Sequence, residues 1–373
     1  MHLYQRYTEA LLHGHVPYRD FFMEYPPGAL AVFLPPAAAT SSHYNAAFKA
    51  LMALCGVAAL VLVAFTLVGL GATVRHVWTA TLLVALSPIA LGPISLNTYD
   101  TWPALLTLAA LAALLARRDL LAGGLLGLAF AAKVYPVVLL PLALVWAWRL
   151  RGRRRAIGVL ASFVAVAATV TLPFLILAPH GLVESFRSQA ARGLQIESLG
   201  AQLLVAADRL GVYTVTVAHH TRGAVSYDLR GSLPQALGAV CSALQIAAVV
   251  LVAWLYARGR DDGRRLVVGA AAAVAGFLAF TRFFSPQYLV WLIPLVPLVD
   301  SVAAWTLLGV ALILDQVWFF HYRSVVELGT RSWFVLARDL IVVALFGLLL
   351  RRDASKDQHA VLLEDETPLG VPP

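Results

Sequence analysis

The chain has 373 residues, 60% of them hydrophobic and 13% charged, where an ordinary soluble domain carries about 25% charged residues. Its 28 basic and 20 acidic residues cannot cover the surface of a soluble globule of that length, and a mean hydropathy of +0.79 points to lipid in place of that surface. The composition excludes a soluble enzyme and indicates a polytopic membrane protein.

The chain opens on MHLYQRYTEA, which is polar and amphipathic and is not a cleavable signal peptide. An apolar stretch at 29–41 carries Pro35 and Pro36 and reads as a short interfacial or re-entrant helix. Eleven longer apolar stretches follow, near 45–70, 77–95, 102–116, 119–132, 134–148, 156–178, 236–257, 266–281, 286–299, 302–318 and 333–350. Helices are expected there, because backbone in lipid must satisfy its hydrogen bonds within the segment. The stretches at 119–132 and 134–148 fall short of the roughly 20 residues a perpendicular span needs, and read as a broken pair. The one long polar insertion, 179–232, is expected to carry short amphipathic helices. Residues 1–350 thus form one membrane domain. Residues 351–373, with mixed charge and little apolar pattern, are expected to be a disordered tail.

The net charge of +8 does not signal nucleic acid, because the basic residues cluster in knots between apolar runs. Arg149, Arg151, Arg153, Arg154 and Arg155 make one knot, and Arg258, Arg260, Arg264 and Arg265 another. Arg117–Arg118 and Arg351–Arg352 are smaller ones. Such knots mark cytoplasmic loops. An eleven-span path puts all of them inside if the N-terminus is extracytoplasmic and the C-terminus cytoplasmic. Residues 1–24, 96–101, 179–232 and 282–286 then face outward. Cys55 and Cys241 lie in apolar runs, and His219–His220 lacks further ligand spacing, so neither a disulfide framework nor a metal site is suggested.

Ionisable groups in or beside a membrane are costly and default to functional candidates; here they gather on the outward side. YRDFFMEYPP holds Arg19, Asp20, Glu24 and Tyr25, with the two carboxylates on one face if the segment is helical. Either carboxylate could act as a general base toward a hydroxyl, or the segment could be an aromatic interfacial anchor. Asp100 in NTYDTWP is either a helix N-cap or a site residue. Lys133, followed by Tyr135, either snorkels to the interface or binds phosphate. Arg282, Gln287 and Tyr288 in RFFSPQYLVWLIPL offer donors for a phosphate or sugar, or form an aromatic belt with one snorkelling arginine. Gln195 and Glu197 in RGLQIESLGA read equally as a solvated helix or as site residues.

GHVPYRDFFMEYPPGAL, NTYDTWPALLTLAALA, AAKVYPVVLLPL, RGLQIESL and RFFSPQYLVWLIPL, in this order, resemble the bacterial integral-membrane glycosyltransferases of family 87 over roughly residues 4–350. These are similar to the polyprenyl-phosphomannose-dependent mannosyltransferases. The resemblance implies an all-α polytopic bundle of the GT-C type with short outer-face helices, in the plasma membrane. It also implies inverting transfer of a sugar from a polyprenyl-phosphate donor to a glycolipid or glycan acceptor, with no further cofactor. The presumed base of that family is an aspartate about four residues before a tyrosine, and Tyr4 resembles that tyrosine. The aspartate and a first membrane helix are therefore expected upstream of Met1, and the form beginning at Met1 is expected to be inactive or nearly so. Within the chain, Asp20 and Glu24 are the substitute bases. Arg282 and Lys133 are expected on phosphate, Gln287 and Glu197 on sugar or acceptor. Arg19, Tyr25, Asp100, Tyr135 and Tyr288 complete the expected substrate contacts. A transporter or flippase for a lipid-linked or anionic substrate is the alternative, and an internal inverted repeat would favour it.

Overall fold

Apolar segments separated by glycine, proline and arginine knots fold into a helical bundle. In the computed structural model, residues 2–220 and 226–365 are described, and for His220 and residues 353–365 the backbone alone. An amphipathic helix α1 (His2–Leu12) leads into a loop, a 3-10 turn at Pro27–Ala29, a single turn α2 (Leu30–Phe33) and a second 3-10 turn at Pro35–Ala38. The first long span is α3 (Tyr44–Gly69). It is followed by α4 (Val74–Leu91), capped by the Thr73 hydroxyl on His76 N at 3.2 Å, and the short α5 (Ile94–Asn97). Then come α6 (Thr101–Leu115), α7 (Asp119–Ala132), α8 (Leu140–Arg151) and α9 (Arg153–Leu177). Six helices of the described residues are long and apolar enough to cross a membrane, and the chain is a multi-pass membrane protein.

Close backbone approach holds α7 against α9. A Cβ at Gly123 or Gly127, four residues apart on one face, would meet the carbonyl of Val159 or Phe163. Small residues at this spacing let two membrane helices pack through their backbones where no hydrophobic force drives them together. Gly28 lies in the same way on the Ala131–Ala132 backbone, which ties the first loop to the end of α7.

The insertion forms α10 (Pro179–Ala190), α11 (Leu199–Arg209) and a small antiparallel sheet. Its strands are β1 (Leu194–Gln195), β2 (Thr216–His220) and β3 (Ser226–Arg230), in the order β1-β3-β2, with Leu194 opposite Leu229 and Val217 opposite the same residue. The amphipathic helices match expectation; the sheet is an addition to an otherwise all-α chain. The bundle resumes with α12 (Ser232–Arg258) and α13 (Gly263–Ala279), and closes with α14 (Val302–Phe319), the short α15 (Tyr322–Val326) and α16 (Ser332–Asp365). This last helix runs past residue 351, where the tail was expected to begin, and 366–373 lie outside the described residues.

One expected span is not a regular helix. Residues 286–299 form 3-10 turns at Pro286–Trp291 and Val296–Leu298, because Pro286, Pro294 and Pro297 remove backbone donors. Such backbone is tolerated at membrane depth only when protein surrounds it. Leu289, Leu292, Leu295 and Val296 are indeed fully buried. The preceding α13 is buried along most of its length, whereas Trp78, Ile89, Ile176 and Ile246 of α4, α9 and α12 point outward. The core is thus α13 and the irregular stretch, wrapped by lipid-facing helices.

The arginine knots meet at one end of the bundle. Arg149 donates to the carbonyls of Ala257 and Gly259 and pairs with Asp261 at 3.2 Å. Arg151 grips Asp119, Arg264 donates to Gly71 O, and Arg352 to Asp300 O. The bonds of Arg149 and Arg264 satisfy carbonyls at the C-termini of α12 and α3, where cations are favoured. The loops bearing the candidate residues lie at the other end.

Candidate functional site

The loops at that other end surround a cavity of about 730 Å³. It is walled by the first loop, the junction of α7 and α8, the α10–α11 insertion and residues 282–291. Of the residues singled out in the sequence, Glu24, Tyr25, Lys133, Tyr135, Gln195, Glu197, Arg282, Gln287 and Tyr288 line it. Asp20 and Arg19 do not.

The first loop separates its two carboxylates. YRDFFMEYPP is not helical; Tyr18 takes a left-handed backbone, φ 68°, and donates its hydroxyl to Tyr25 O at 2.5 Å. A helix would have put Asp20 and Glu24 on one face, but this turn sends Asp20 outward. Asp20 accepts from Val16 N at 2.7 Å and pairs with Arg19 at 2.9 Å, and that hydrogen-bonded guanidinium pulls its carboxyl down to about 2. Glu24 turns inward, 3.6 Å from Arg192 on the insertion. Tyr4 of α1 stacks on Phe33 at 4.4 Å and meets Tyr25 edge-on, placing α1 behind the cavity wall.

Asp100 occupies the position before α6, as an N-cap would, but its side chain makes no capping bond. Its carboxylate instead receives Lys133 Nζ at 2.5 Å and the Trp291 indole N–H at 2.7 Å. The Lys133 side chain is only 13% exposed, so it does not snorkel. It stands 4.8 Å from the Tyr99 ring, 4.9 Å from Tyr288 and 5.2 Å from Trp291, an aromatic surround that favours a cation. Trp291 is stacked between Tyr135 at 3.8 Å and Tyr288 at 4.3 Å. Asp100 is therefore a support beneath the cavity, with Lys133 reaching its wall.

Arg282 lines the opposite side. Its guanidinium donates to the Ala190 carbonyl, and among the described residues it pairs with no carboxylate. Gln195 N bonds Arg282 O at 2.9 Å, which fixes the insertion to this loop. The Gln195 amide donates to Glu197, whose carboxylate also meets the Tyr322 hydroxyl. Glu197 is 2% exposed, and burial pushes its carboxyl up to about 7.

Sequence reasoning passed over a cluster of charges under Glu197. Arg338 of α16 is fully buried and pairs with Asp315 at 2.8 Å and Asp339 at 2.9 Å. It also donates to Glu197 O at 2.5 Å and lies 4.0 Å from the Phe284 ring. Charges inside the apolar runs at 302–318 and 333–350 were the signal for it. Arg192 was likewise passed over, inside a segment that reads as a solvated helix. The arrangement brings together carboxylates, cations and aromatic faces around one cavity.

Residues 22–286 match glycosyltransferase family 87. No curated protein matches the chain. Among solved structures it is similar to ArnT from Cupriavidus metallidurans bound to undecaprenyl phosphate, at 16% identity, over 93% of this chain and 71% of that chain, with a TM-score of 0.47.

The raised Glu197 carboxyl has a testable consequence for stability. Its folded value, about 7, exceeds the ordinary 4.5 of an unburied glutamate. Its contribution to stability is therefore intact below about pH 4.5 and lost as pH rises through about 7. Glu197→Gln, which does not ionise, is expected to gain thermal stability relative to the parent chain between about pH 5 and pH 8. Melting curves in detergent across that range measure it; a difference independent of pH would contradict it.

Proposed function

The chain belongs to glycosyltransferase family 87, and from that premise we propose that it transfers a sugar from a polyprenyl-phosphate donor to a hydroxyl of a lipid- or polysaccharide-linked acceptor. The sugar is mannose or another hexose or pentose, the configuration inverts, and the reaction takes place at the extracytoplasmic face. The observation that carries this reading is the cavity itself, with Glu24, Arg192, Glu197 and Arg282 converging at the end of the bundle away from the arginine knots. An extracytoplasmic cavity follows if the knots face the cytoplasm.

In this reading Glu24 substitutes for the aspartate expected upstream of Met1: the acceptor hydroxyl attacks the anomeric carbon as Glu24 takes its proton, and polyprenyl phosphate leaves from the opposite face. Asp20, outside the cavity, has no part in it. A phosphate leaving group needs little protonation, so fixed cations stabilise it better than an acid. Arg282 is the primary cation, since no carboxylate already claims it among the described residues. Lys133 shares its charge with Asp100 and adds to the field. Gln287 and Glu197 are placed to hold sugar or acceptor hydroxyls, and the rings of Tyr25, Tyr135 and Tyr288 supply apolar surface. The interior membrane helices lead the prenyl chain to this end.

Two measurements test the reading. In proteoliposomes supplied with polyprenyl-phosphomannose and a membrane glycolipid acceptor, Arg282→Ala is expected to lower transfer at least about tenfold, ~1.4 kcal/mol. Undiminished turnover would remove Arg282 from the site. For orientation, Ser232→Cys is expected to react with a membrane-impermeant maleimide on intact cells, and Arg154→Cys only after lysis. Cys55 and Cys241 are buried and leave a low background. The reverse pattern would put the cavity on the cytoplasmic face.

A further inference from the structure

Arg192 lies beside Glu24 in the cavity wall. Its Nη1 is 3.6 Å from Glu24 Oε1, beyond the 3.2 Å or so of a formed hydrogen bond. The same nitrogen donates to Gln189 Oε1 at 3.1 Å, and the guanidinium lies 5.9 Å from the Phe283 ring. Both side chains line the cavity and are largely withdrawn from water, at 10% and 7% exposure. Arg192 sits in the short link between α10 and β1 and not within either element. The pair is close enough to feel full Coulomb attraction in a poorly solvated site, yet it is not locked by a bidentate fork.

We propose that Arg192 is a shared counter-ion that passes from Glu24 to the donor phosphate, so that donor binding releases the Glu24 carboxylate for proton abstraction. This rests on the donor reading above and deepens it. Without donor, Arg192 contributes to compensating the buried Glu24 charge. A phosphate entering beside Arg282 draws the guanidinium toward itself. Glu24 then faces the acceptor hydroxyl with less compensation and takes a proton more readily. The hydroxyl oxygen forms its bond to the anomeric carbon, the carbon–phosphate oxygen bond breaks with its electron pair on the phosphate, and the hydroxyl proton resides on Glu24. As polyprenyl phosphate departs, Arg192 returns, and Glu24 gives its proton to water. Donor therefore precedes acceptor, and a bound acceptor meets an active base only when there is a sugar to receive.

Linkage makes the coupling reciprocal: if phosphate draws Arg192 from Glu24, the Glu24 charge must weaken phosphate binding by the same factor. The test is binding of farnesyl phosphate to the full chain in detergent, with a melting curve for each variant. Glu24→Gln is expected to bind farnesyl phosphate about fivefold or more tightly than the parent. Arg192→Ala is expected to bind it more weakly, and Arg192→Lys, which keeps the charge, to lie between. In Arg192→Ala, adding Glu24→Gln should no longer tighten binding, since the contested cation is gone. Unchanged or weaker binding by Glu24→Gln overturns the proposal. So does equal tightening with and without Arg192, which would mark simple repulsion between anions. A parent chain that does not bind farnesyl phosphate overturns the donor reading as well, whereas binding indifferent to Arg192 and Glu24 removes the shared counter-ion alone.

Discussion

The ion pair of Lys133 and Asp100 constrains the site more than any other interaction. Taking two such charges out of water costs several kcal/mol per ion, about, and their attraction compensates only if the geometry is good and other partners join. Here the Trp291 indole donates to the same carboxylate oxygen as the ammonium, and three rings surround the lysine. Each partner comes from a place where a regular helix stops. Asp100 precedes α6, Lys133 ends α7, and Trp291 ends the proline-interrupted turn. Half-length segments that could not each span a bilayer alone are thereby joined at one depth, and that junction is the floor of the cavity.

A second buried charge cluster performs the same service from the other side. Arg338 ties α14 and α16 to the Glu197 segment and presses on Phe284. The insertion, which carries Arg192 and Glu197, is thus fastened to membrane helices and not only to other loops. The bundle has two polar ends with different character. At one, arginines bind helix carbonyls and acidic partners; at the other, carboxylates and cations face a cavity. The proposed function puts its chemistry at the cavity end.

Apolar runs made most of the fold legible, because lipid leaves few alternatives to a helix. The exception at 286–299 was also visible in its prolines, but hydropathy alone does not separate a span from a buried irregular segment. The sheet was not legible: β1 has two residues, and its pairing with β3 depends on residues far along the chain. Local spacing misled at Asp100, where an N-cap was a sufficient local account and the true partner lies 33 residues away. It misled at Asp20 and Glu24 too, since a left-handed Tyr18 turns the chain just ahead of Asp20, the segment is not helical, and no composition rule announces that turn. Arg282, Gln287 and Glu197, singled out as polar groups beside apolar runs, line the cavity. Arg192 did not stand out, because polar residues in a polar loop carry no contrast.

The central claim is that the cavity receives the phosphate of a polyprenyl donor. A structure of the full chain determined with undecaprenyl phosphate tests it most directly. The account predicts the phosphate in ion-pair contact with Arg282 and Arg192, with the prenyl chain running out between membrane helices. A phosphate held at the arginine end, or in the apolar groove beside Met52 and Val84, would contradict it.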